Sequence, residues 1–510
     1  MNFNSAIHPI LFAFFPILFL FSNNVSQLKI NDLIFSSIII ISITLVVWLI
    51  IGRISKNYIK SSLVISIFLI LFFSYGRIYS ILQDYVITTN LPAIGHAIPL
   101  FSFLTLFVII TVLIIKTKKK FNNLTKIINS VAVVIVLISL FNVTSFYLIN
   151  SSNPQDQIFS DANSLNSKIS YPNIYFIILD EYAHSKSLEK FYNFDNTYFI
   201  NSLEERGFYF PENPTANYPT TTQSMTSMLN MEYVDKNLIT DSGPQNYQLF
   251  LREITNNNLM QFLKNKGYTI FNYFSGSILT QNIEIADYHL CSTDILIDSQ
   301  LLVNLLETSM LNPVYVSFFA DNDREQRLCI LSTLGEPLKT NDPYFVFAHI
   351  NIPHPPYLFG PNGEFLIPET LDLEGRRDSG RNIDGYIGQL QFVNNQILNI
   401  VDKIHENEQK LAIIVILSDH GSRYSVHWDK IYEDGVAPKE SVQERLSILN
   451  TIYFPDKNYD LIYDNISSVN MFRIILNEYV DGDFEILEDK NYFIVGREPI
   501  VFKDVTEFFE

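Results

Sequence analysis

The chain has 510 residues, of which 48% are hydrophobic and only 17% are charged, and its formal net charge is −18. Soluble domains average about 25% charged residues, so this composition excludes a uniformly soluble protein. The charge is also unevenly divided: residues 1–150 have a balance of +8, and the remaining 360 residues have a balance of −26. An acidic second part without a basic patch argues against nucleic-acid binding, because that binding uses Lys and Arg to displace counterions.

The first 150 residues predict a membrane domain of about five transmembrane helices. A helix needs about 20 apolar residues to cross the hydrocarbon core, and the first candidate is the shortest. The candidates are 7–22, 33–52, 61–82, 98–115 and 127–149. The basic residues concentrate in the loops that follow the second and fourth candidates. Because such loops remain in the cytoplasm, we expect a multi-pass protein of the cell membrane with everything after residue 150 on the extracytoplasmic side.

A polar segment, 151–171, predicts a linker, and the pattern changes after it. Short apolar runs of strand length alternate with longer amphipathic stretches through residues 172–480. The clearest strand-like runs are 173–179, 268–274, 344–350 and 411–417. Continuous apolar strands separated by helices predict a mostly parallel sheet covered by helices on both faces. Residues 481–510 predict an accessory tail.

Polar residues follow three of these runs at the point where each strand ends. Asp180 and Glu181 follow the first, His354 follows the third, and Asp419 and His420 follow the fourth. Each residue alone has an ordinary explanation, such as a helix cap, a turn or packing. In an open α/β sheet, however, ligands bind beyond the carboxyl ends of the strands. Carboxylate and imidazole groups are suitable ligands for a divalent cation, so their joint occurrence predicts a metal site.

At these residues the chain resembles the alkaline phosphatase superfamily, in particular its sulfatase-like branch of sulfatases, lipoteichoic acid synthases and phosphoethanolamine transferases. The resemblance covers about residues 172–480, and the Asp-His-Gly after an apolar strand is its most specific element. It implies a divalent metal (Zn, Mn, Mg or Ca) held by Asp180, Asp419 and His420, with Glu181 as a neighbouring alternative.

The resemblance also implies roles for residues around the metal. His354, in a Pro-His-Pro-Pro segment, matches the histidine that contacts the transferred group in this branch. His427 lies eight residues after Asp419, where many sulfatases have another active-site histidine, and Lys430 follows it. Lys430 and Thr221 are expected to bind the substrate. Arg423 could bind an oxyanion or form an ordinary ion pair.

The nucleophile position departs from the family pattern. The matching segment is Pro-Thr-Ala-Asn-Tyr-Pro-Thr-Thr-Thr at 214–222, which puts Asn217 in the nucleophile position and Thr221 in the arginine position. A sulfatase that uses formylglycine needs Cys or Ser there, so that mechanism is excluded. Three possibilities remain open: Thr220 at a helix N-terminus is the nucleophile, Asn217 orients a metal-bound water, or the site binds without turnover.

These features predict a membrane-anchored, metal-dependent hydrolase or transferase for phosphate or sulfate esters of lipid head groups or cell-surface glycans. The helical anchor with an external domain is similar to the layout of lipoteichoic acid synthases. The alternative is an inactive member that binds or scaffolds envelope glycans. Cys291 and Cys329 could form a disulfide outside the membrane or remain two free thiols.

Overall fold

The chain forms two compact units in a computed structural model. The described residues are 6–25, 28, 30–88, 96–150, 171–235, 245–275, 277, 279–281, 283–291, 300–366, 382–497 and 500–509. The first unit comprises 1–159, 294–319 and 372–374, and the second comprises the remainder. The predicted linker lies outside the described residues, apart from Tyr171.

The first unit consists of apolar helices. They are α1 (His8–Asn23), α2 (Ile30–Ser55), α3 (Tyr58–Thr88), α4 (Ala97–Lys116) and α5 (Asn122–Asn150). Within the described part of the chain, α2 to α5 are long and apolar enough to cross a membrane, whereas α1 has 16 residues. Large apolar side chains point outward from these helices, with Ile38 61% and Phe101 71% exposed. Such a surface suits contact with lipid chains rather than water.

The remaining elements are helices with short strands between them. In chain order they are β1 (Ile174–Leu179), α6 (Ser185–Tyr192), α7 (Thr197–Glu205), α8 (Thr221–Asn230), α9 (Gln245–Thr255), α10 (Asn258–Asn265), β2 (Thr269–Tyr273), β3 (Tyr288–Leu290), α11 (Gln300–Thr308), α12 (Asn312–Thr333), β4 (Tyr344–Ile350), α13 (Ile383–Asn407), β5 (Ile413–Leu417), α14 (Trp428–Asp434), α15 (Lys439–Leu446), β6 (Asn450–Tyr453), α16 (Ser468–Tyr479), β7 (Tyr492–Arg497) and β8 (Ile500–Asp504).

The second unit is built on a six-stranded sheet with the order β3-β2-β4-β1-β5-β6. The strands are parallel except for β6, which pairs antiparallel with β5. The predicted fold class is therefore confirmed. Strand β1 is central, with β4 on one side and β5 on the other, so the carboxyl ends of these three strands lie side by side. The tail contains a separate antiparallel hairpin, β7-β8.

Both faces of the sheet are buried, which explains why its strands are continuously apolar. Successive residues of β1 enter different cores: Ile177 and Leu179 pack on one face of the sheet, and Phe176 and Ile178 pack on the other. Every residue of β1, β4 and β5 is buried. A polar group at the end of such a strand is therefore held by a rigid scaffold.

Residues 294–319 belong to the first unit although they lie far beyond α5 in sequence. Leu301 and Leu305 of α11 are buried in a core with α1 residues such as Leu18 and Phe21. Immediately afterwards, the Met310 N–H donates a hydrogen bond of 2.9 Å to the backbone carbonyl of Phe72 in α3. The first unit therefore contains a segment that is far from its other helices in sequence.

Cys291 and Cys329 form a disulfide, so the alternative of two free thiols is wrong. The bond closes a loop with a sequence separation of 38 residues, and that loop contains α11. A disulfide of this kind is typical of an oxidising compartment.

Replacing both cysteines (Cys291→Ser, Cys329→Ser) should lower the thermal unfolding midpoint of the full-length chain. Loop-closure entropy for a loop of this length corresponds to about 4 kcal/mol. Reductant should lower the midpoint of the wild type and leave that of the double variant unchanged. Equal midpoints, together with thiols that alkylate in the untreated wild type, would contradict the bond.

Candidate active site

The adjacent ends of β4, β1 and β5 bring the predicted ligands together. Asp180 directly follows β1, and its N–H donates to the carbonyl of Ile350, the last residue of β4, at 3.0 Å. Asp419 and His420 follow β5. The ligand atoms of Asp180, Asp419 and His420 lie within 4.8 Å of one another, and all three residues are buried.

The unsatisfied atoms of this cluster suit a divalent cation. Asp180 Oδ1 and Asp419 Oδ2 are buried without a hydrogen-bond partner, although buried polar atoms are normally paired. His420 has Nδ1 3.2 Å from the Gly421 carbonyl. A carbonyl only accepts, so the proton belongs on Nδ1 and the lone pair of Nε2 faces the carboxylates. The two orphaned carboxylate oxygens and the His420 Nε2 between them form a donor set that fits a metal ion, which would replace the hydrogen bond that Nε2 accepts from Arg445 Nη2 at 3.1 Å.

Burial and mutual repulsion explain the electrostatics of the two carboxyl groups. Burial, together with the neighbouring Glu181 carboxylate, raises the pKa of Asp180 to about 7. Burial likewise raises the pKa of Asp419 to about 7, with the Asp180 carboxylate contributing. Burial lowers the pKa of His420 well below its usual value, which keeps the ring neutral. A bound cation would offset the desolvation of both carboxylates.

Glycine is required after His420 because the backbone passes so close to α15. A Cβ atom on Gly421 would lie 2.2 Å from the Glu444 carbonyl oxygen. The Gly421 N–H donates to the Arg445 carbonyl at 2.7 Å, and the Ser418 hydroxyl donates to the His420 carbonyl at 2.6 Å. These contacts explain why Asp419 and His420 are followed by glycine.

Glu181 is a buried carboxylate in a strained backbone position, with φ 66°. Its Oε1 lies 3.0 Å from Arg423 Nε and 3.5 Å from Arg445 Nη1, and its Oε2 lies 3.6 Å from His354 Nε2. Left-handed conformations of residues other than glycine cluster at functional sites. Asp180, Glu181 and His354 also form a second group with metal-ligand spacing.

Arg445 connects the cluster of candidate metal ligands to the segment before α8. Its Nε donates to the Pro219 carbonyl at 2.7 Å, its Nη1 to the Gly421 carbonyl at 2.8 Å, and its Nη2 to His420 Nε2 at 3.1 Å. The side chain is buried, so Arg445 does not form the exposed ion pair that is more usual for an arginine. It places a positive charge beside the carboxylates.

The threonine run and Asn217 have different surroundings. Thr221 Oγ1 lies 3.1 Å from His420 Nε2, at the first residue of α8. Thr220 is the N-cap residue, and its hydroxyl contacts the side chain of Gln223. Asn217 is buried; its Nδ2 donates to the Lys490 carbonyl at 2.9 Å, and its Oδ1 accepts from the Val469 N–H at 2.8 Å. Thr221 is thus the residue of this run that contacts the candidate metal ligands, through His420.

His427 and Lys430 lie at the start of α14, and both are exposed. Their surroundings therefore differ from those of the buried cluster. Their predicted roles at the active site remain predictions.

His349 is a buried residue of the site for which the sequence analysis assigned no role. Its Nε2 lies 3.6 Å from Asp180 Oδ2, and its Nδ1 lies 2.8 Å from Thr280 Oγ1. Burial lowers its pKa to about 4, so the ring is neutral. The available signal was an imidazole within an otherwise apolar strand next to the strand that carries Asp180.

The sequence profile of the Sulfatase family matches residues 172–473, so this chain belongs to the sulfatase family. A search of curated proteins finds no match.

Several solved structures are similar to this chain. The C-terminal periplasmic domain of EptC from Escherichia coli, in complex with Zn, has 13% identity and a TM-score of 0.41, covering 64% of this chain and 90% of its own. The periplasmic domain of phosphoethanolamine transferase EptC from Campylobacter jejuni has 14% identity and a TM-score of 0.36, with coverages of 62% and 92%. The lipoteichoic acid synthase LtaP from Listeria monocytogenes has 11% and 0.37, with coverages of 64% and 79%. Similarity at this level is no basis for transferring an activity.

Removing two of the candidate ligands should abolish metal retention. The double variant Asp419→Ala, His420→Ala should lose the divalent metal that the purified full-length protein carries, measured by elemental mass spectrometry. Asp460→Asn, which changes an exposed carboxylate, serves as the control and should keep it. Stoichiometric metal in the double variant would refute the site.

His349 should act as a positioning residue through Asp180. Partners that orient metal-ligating carboxylates typically contribute about 10–100-fold to metal affinity, so His349→Phe should weaken metal binding by that factor in a titration against a chelator. His405→Phe changes another buried histidine and should leave the affinity unchanged. Equal affinities in the two variants would assign His349 a packing role only.

Proposed function

We propose that this protein is a membrane-anchored, metal-dependent hydrolase or transferase of phosphate or sulfate esters in which Thr221 is the nucleophile. The observation that carries the proposal is the position of the Thr221 hydroxyl, 3.1 Å from His420 Nε2 in the buried cluster. Thr220, its neighbour in the run, directs its hydroxyl to Gln223 instead. The geometry therefore supports Thr221 over Thr220 and Asn217.

Asp180, Asp419 and His420 would hold the divalent cation, whose identity is open among Zn, Mn, Mg and Ca. When bound, the cation supplies positive charge that lowers the pKa of a nearby hydroxyl and offsets charge on the ester. Thr221 stands at the N-terminus of α8, where free backbone N–H groups and the helix dipole favour an anion. The helix end would therefore orient the ester oxygens towards the nucleophile.

The positive groups around the cluster would receive the anionic ester. The residues after 150 have a charge balance of −26, which would repel an anion unless the charge is reversed locally. Arg423 and Arg445 supply two guanidinium groups beside Glu181. The ester would compete with the Glu181 carboxylate for these two guanidinium groups. Glu181 would therefore lower the affinity of the site for the ester.

The reaction would proceed through a covalent threonine ester. The Thr221 hydroxyl would give its proton to solvent water, its oxygen would bond to phosphorus or sulfur, and the bond to the leaving oxygen would break. His354, 3.6 Å from Glu181 Oε2 and partly exposed, would give a proton to that leaving oxygen. Water, or the hydroxyl of an acceptor, then attacks the threonine ester and restores Thr221.

The substrate would be an ester on a lipid head group or cell-surface glycan. Four apolar helices of spanning length support a membrane anchor, and the basic loops support an extracytoplasmic position for the α/β domain. The disulfide is consistent with that compartment. An anchored site of this kind would meet its substrates at the membrane surface.

The non-catalytic alternative rested on Asn217 in the expected nucleophile position. Both amide atoms of Asn217 bind backbone groups, so that residue supports the local fold. An amide at 217 therefore gives no reason to expect an inactive site.

Thr221→Ala should reduce turnover by about 10³-fold or more, as expected when a nucleophile is removed. Turnover would be measured on p-nitrophenyl phosphate, a phosphodiester analogue and a sulfate analogue with added Mn²⁺ or Zn²⁺. Thr220→Ala and Thr222→Ala are matched controls from the same run and should retain most activity.

A trapped adduct separates the possible nucleophiles. Mass spectrometry of quenched reactions should place the covalent group on Thr221. An adduct on Thr220 would refute the assignment, and turnover without any threonine adduct would indicate direct attack by water. Absence of turnover on all three substrates, with metal bound, would favour the binding alternative.

A further inference from the structure

An apolar groove lies within the first unit, separate from the ester site. Its walls are formed by α2, α3 and Phe107 of α4, together with Leu302, Leu305, Leu306, Ser309 and Leu311 of α11 and the residues that follow it. Its volume is about 590 Å³, which is within the usual range of ligand sites.

The length and width of the groove limit what can bind in it. The α2 residues that line it run from Ile39 to Ile51, which corresponds to about 18 Å along a helix axis at 1.5 Å per residue. Dividing the volume by this length, and allowing about 1.4 Å on each side for the radius of a water molecule, gives a groove about 9 Å across. An α-helix with its side chains is about 10–12 Å across, so a helix from another protein would not fit. One extended polymethylene chain would.

Water is a poor occupant of this groove. Thr44 and Ser309 are the polar residues among those that line it, and the Ser309 hydroxyl already donates to the Leu306 carbonyl at 2.9 Å. A buried water needs two to four polar partners. The surrounding helices have the length and composition of membrane spans, so the medium that reaches the groove is lipid hydrocarbon.

Aromatic residues of the wall pack against one another. Phe68 contacts Phe107 edge to face at a centroid distance of 5.7 Å, and Phe72 contacts Phe73 at 5.0 Å. The segment 302–311 is tied to the same wall by the hydrogen bond from Met310 to Phe72. Side-chain and backbone contacts therefore connect the parts of the chain that line the groove.

We propose that this groove binds one acyl chain of a bilayer lipid. Its length of about 18 Å slightly exceeds half of a hydrocarbon core of about 30 Å, which is the depth that a chain of one leaflet occupies. Transfer from bulk lipid brings little hydrophobic gain, so retention arises from van der Waals contact with the side chains of the wall. The site does not depend on the proposed ester chemistry.

The full-length chain would be tested in vesicles of phosphatidylcholine that contain a small fraction of the same lipid with a diazirine on its acyl chain. After irradiation, peptide mass spectrometry would locate the adducts. Label should concentrate several-fold on lining residues of α2 and α3 relative to the outward-facing Ile38 and Ile50.

Two adjacent substitutions provide the matched comparison. Val47 lines the groove and Val46 does not, although both are partly exposed. Val47→Trp should reduce the labelling of lining residues several-fold, and Val46→Trp should leave it unchanged; size-exclusion chromatography checks that both variants are folded. Even labelling of all outward-facing residues in the wild type overturns the proposal whatever the variants do. Unchanged labelling in a folded Val47→Trp protein, or cross-links from the groove to a second protein chain, also overturns it.

Discussion

Two carboxyl groups buried side by side, those of Asp180 and Asp419, are the constraint on which the rest of the site depends. Burying a charge without a partner is unfavourable, and both groups respond with a raised pKa. Asp419 Oδ1 accepts the N–H groups of Glu181 and His420, while the facing oxygens of the pair remain without partners. A cation placed there would stabilise the folded state as it binds, so occupancy of the site and stability of the domain are linked.

The segments around the carboxylates are held by contacts from distant parts of the chain. Arg445 joins the loop before α8 to the Asp-His-Gly turn. Asn217 joins the same loop to the start of α16 and to the residues before β7. The C-terminal tail, for which no chemistry was predicted, thus fixes the chain that leads into Thr221. The position of one hydroxyl depends on residues separated from it by more than 200 positions.

Much of this architecture could be predicted because it follows from local patterns. The continuous apolar runs predicted β1, β4 and β5, and parallel strands bring the residues after them to one edge. The distinction between Thr220 and Thr221 could not be predicted, because Thr220 is an N-cap residue with extended backbone and Thr221 is the first helical residue, and a run of threonines does not show at which residue the helix begins. His349 was overlooked because an imidazole in a buried strand has no distinguishing pattern. The packing of α11 on α1 could not be predicted either, because an amphipathic pattern shows that one face of a helix is buried but not which element covers it.

That late segment has a consequence for how the protein is made. The last apolar helix of the anchor ends at residue 150, and α11 begins at residue 300. At elongation rates of 5–20 residues per second, roughly 8–30 s separate the synthesis of the two. The spans are therefore synthesised before the segment that forms one wall of their groove. Insertion of the spans into the membrane and completion of the groove by α11 are therefore two separate events. The second takes place only after part of the sheet domain has been synthesised.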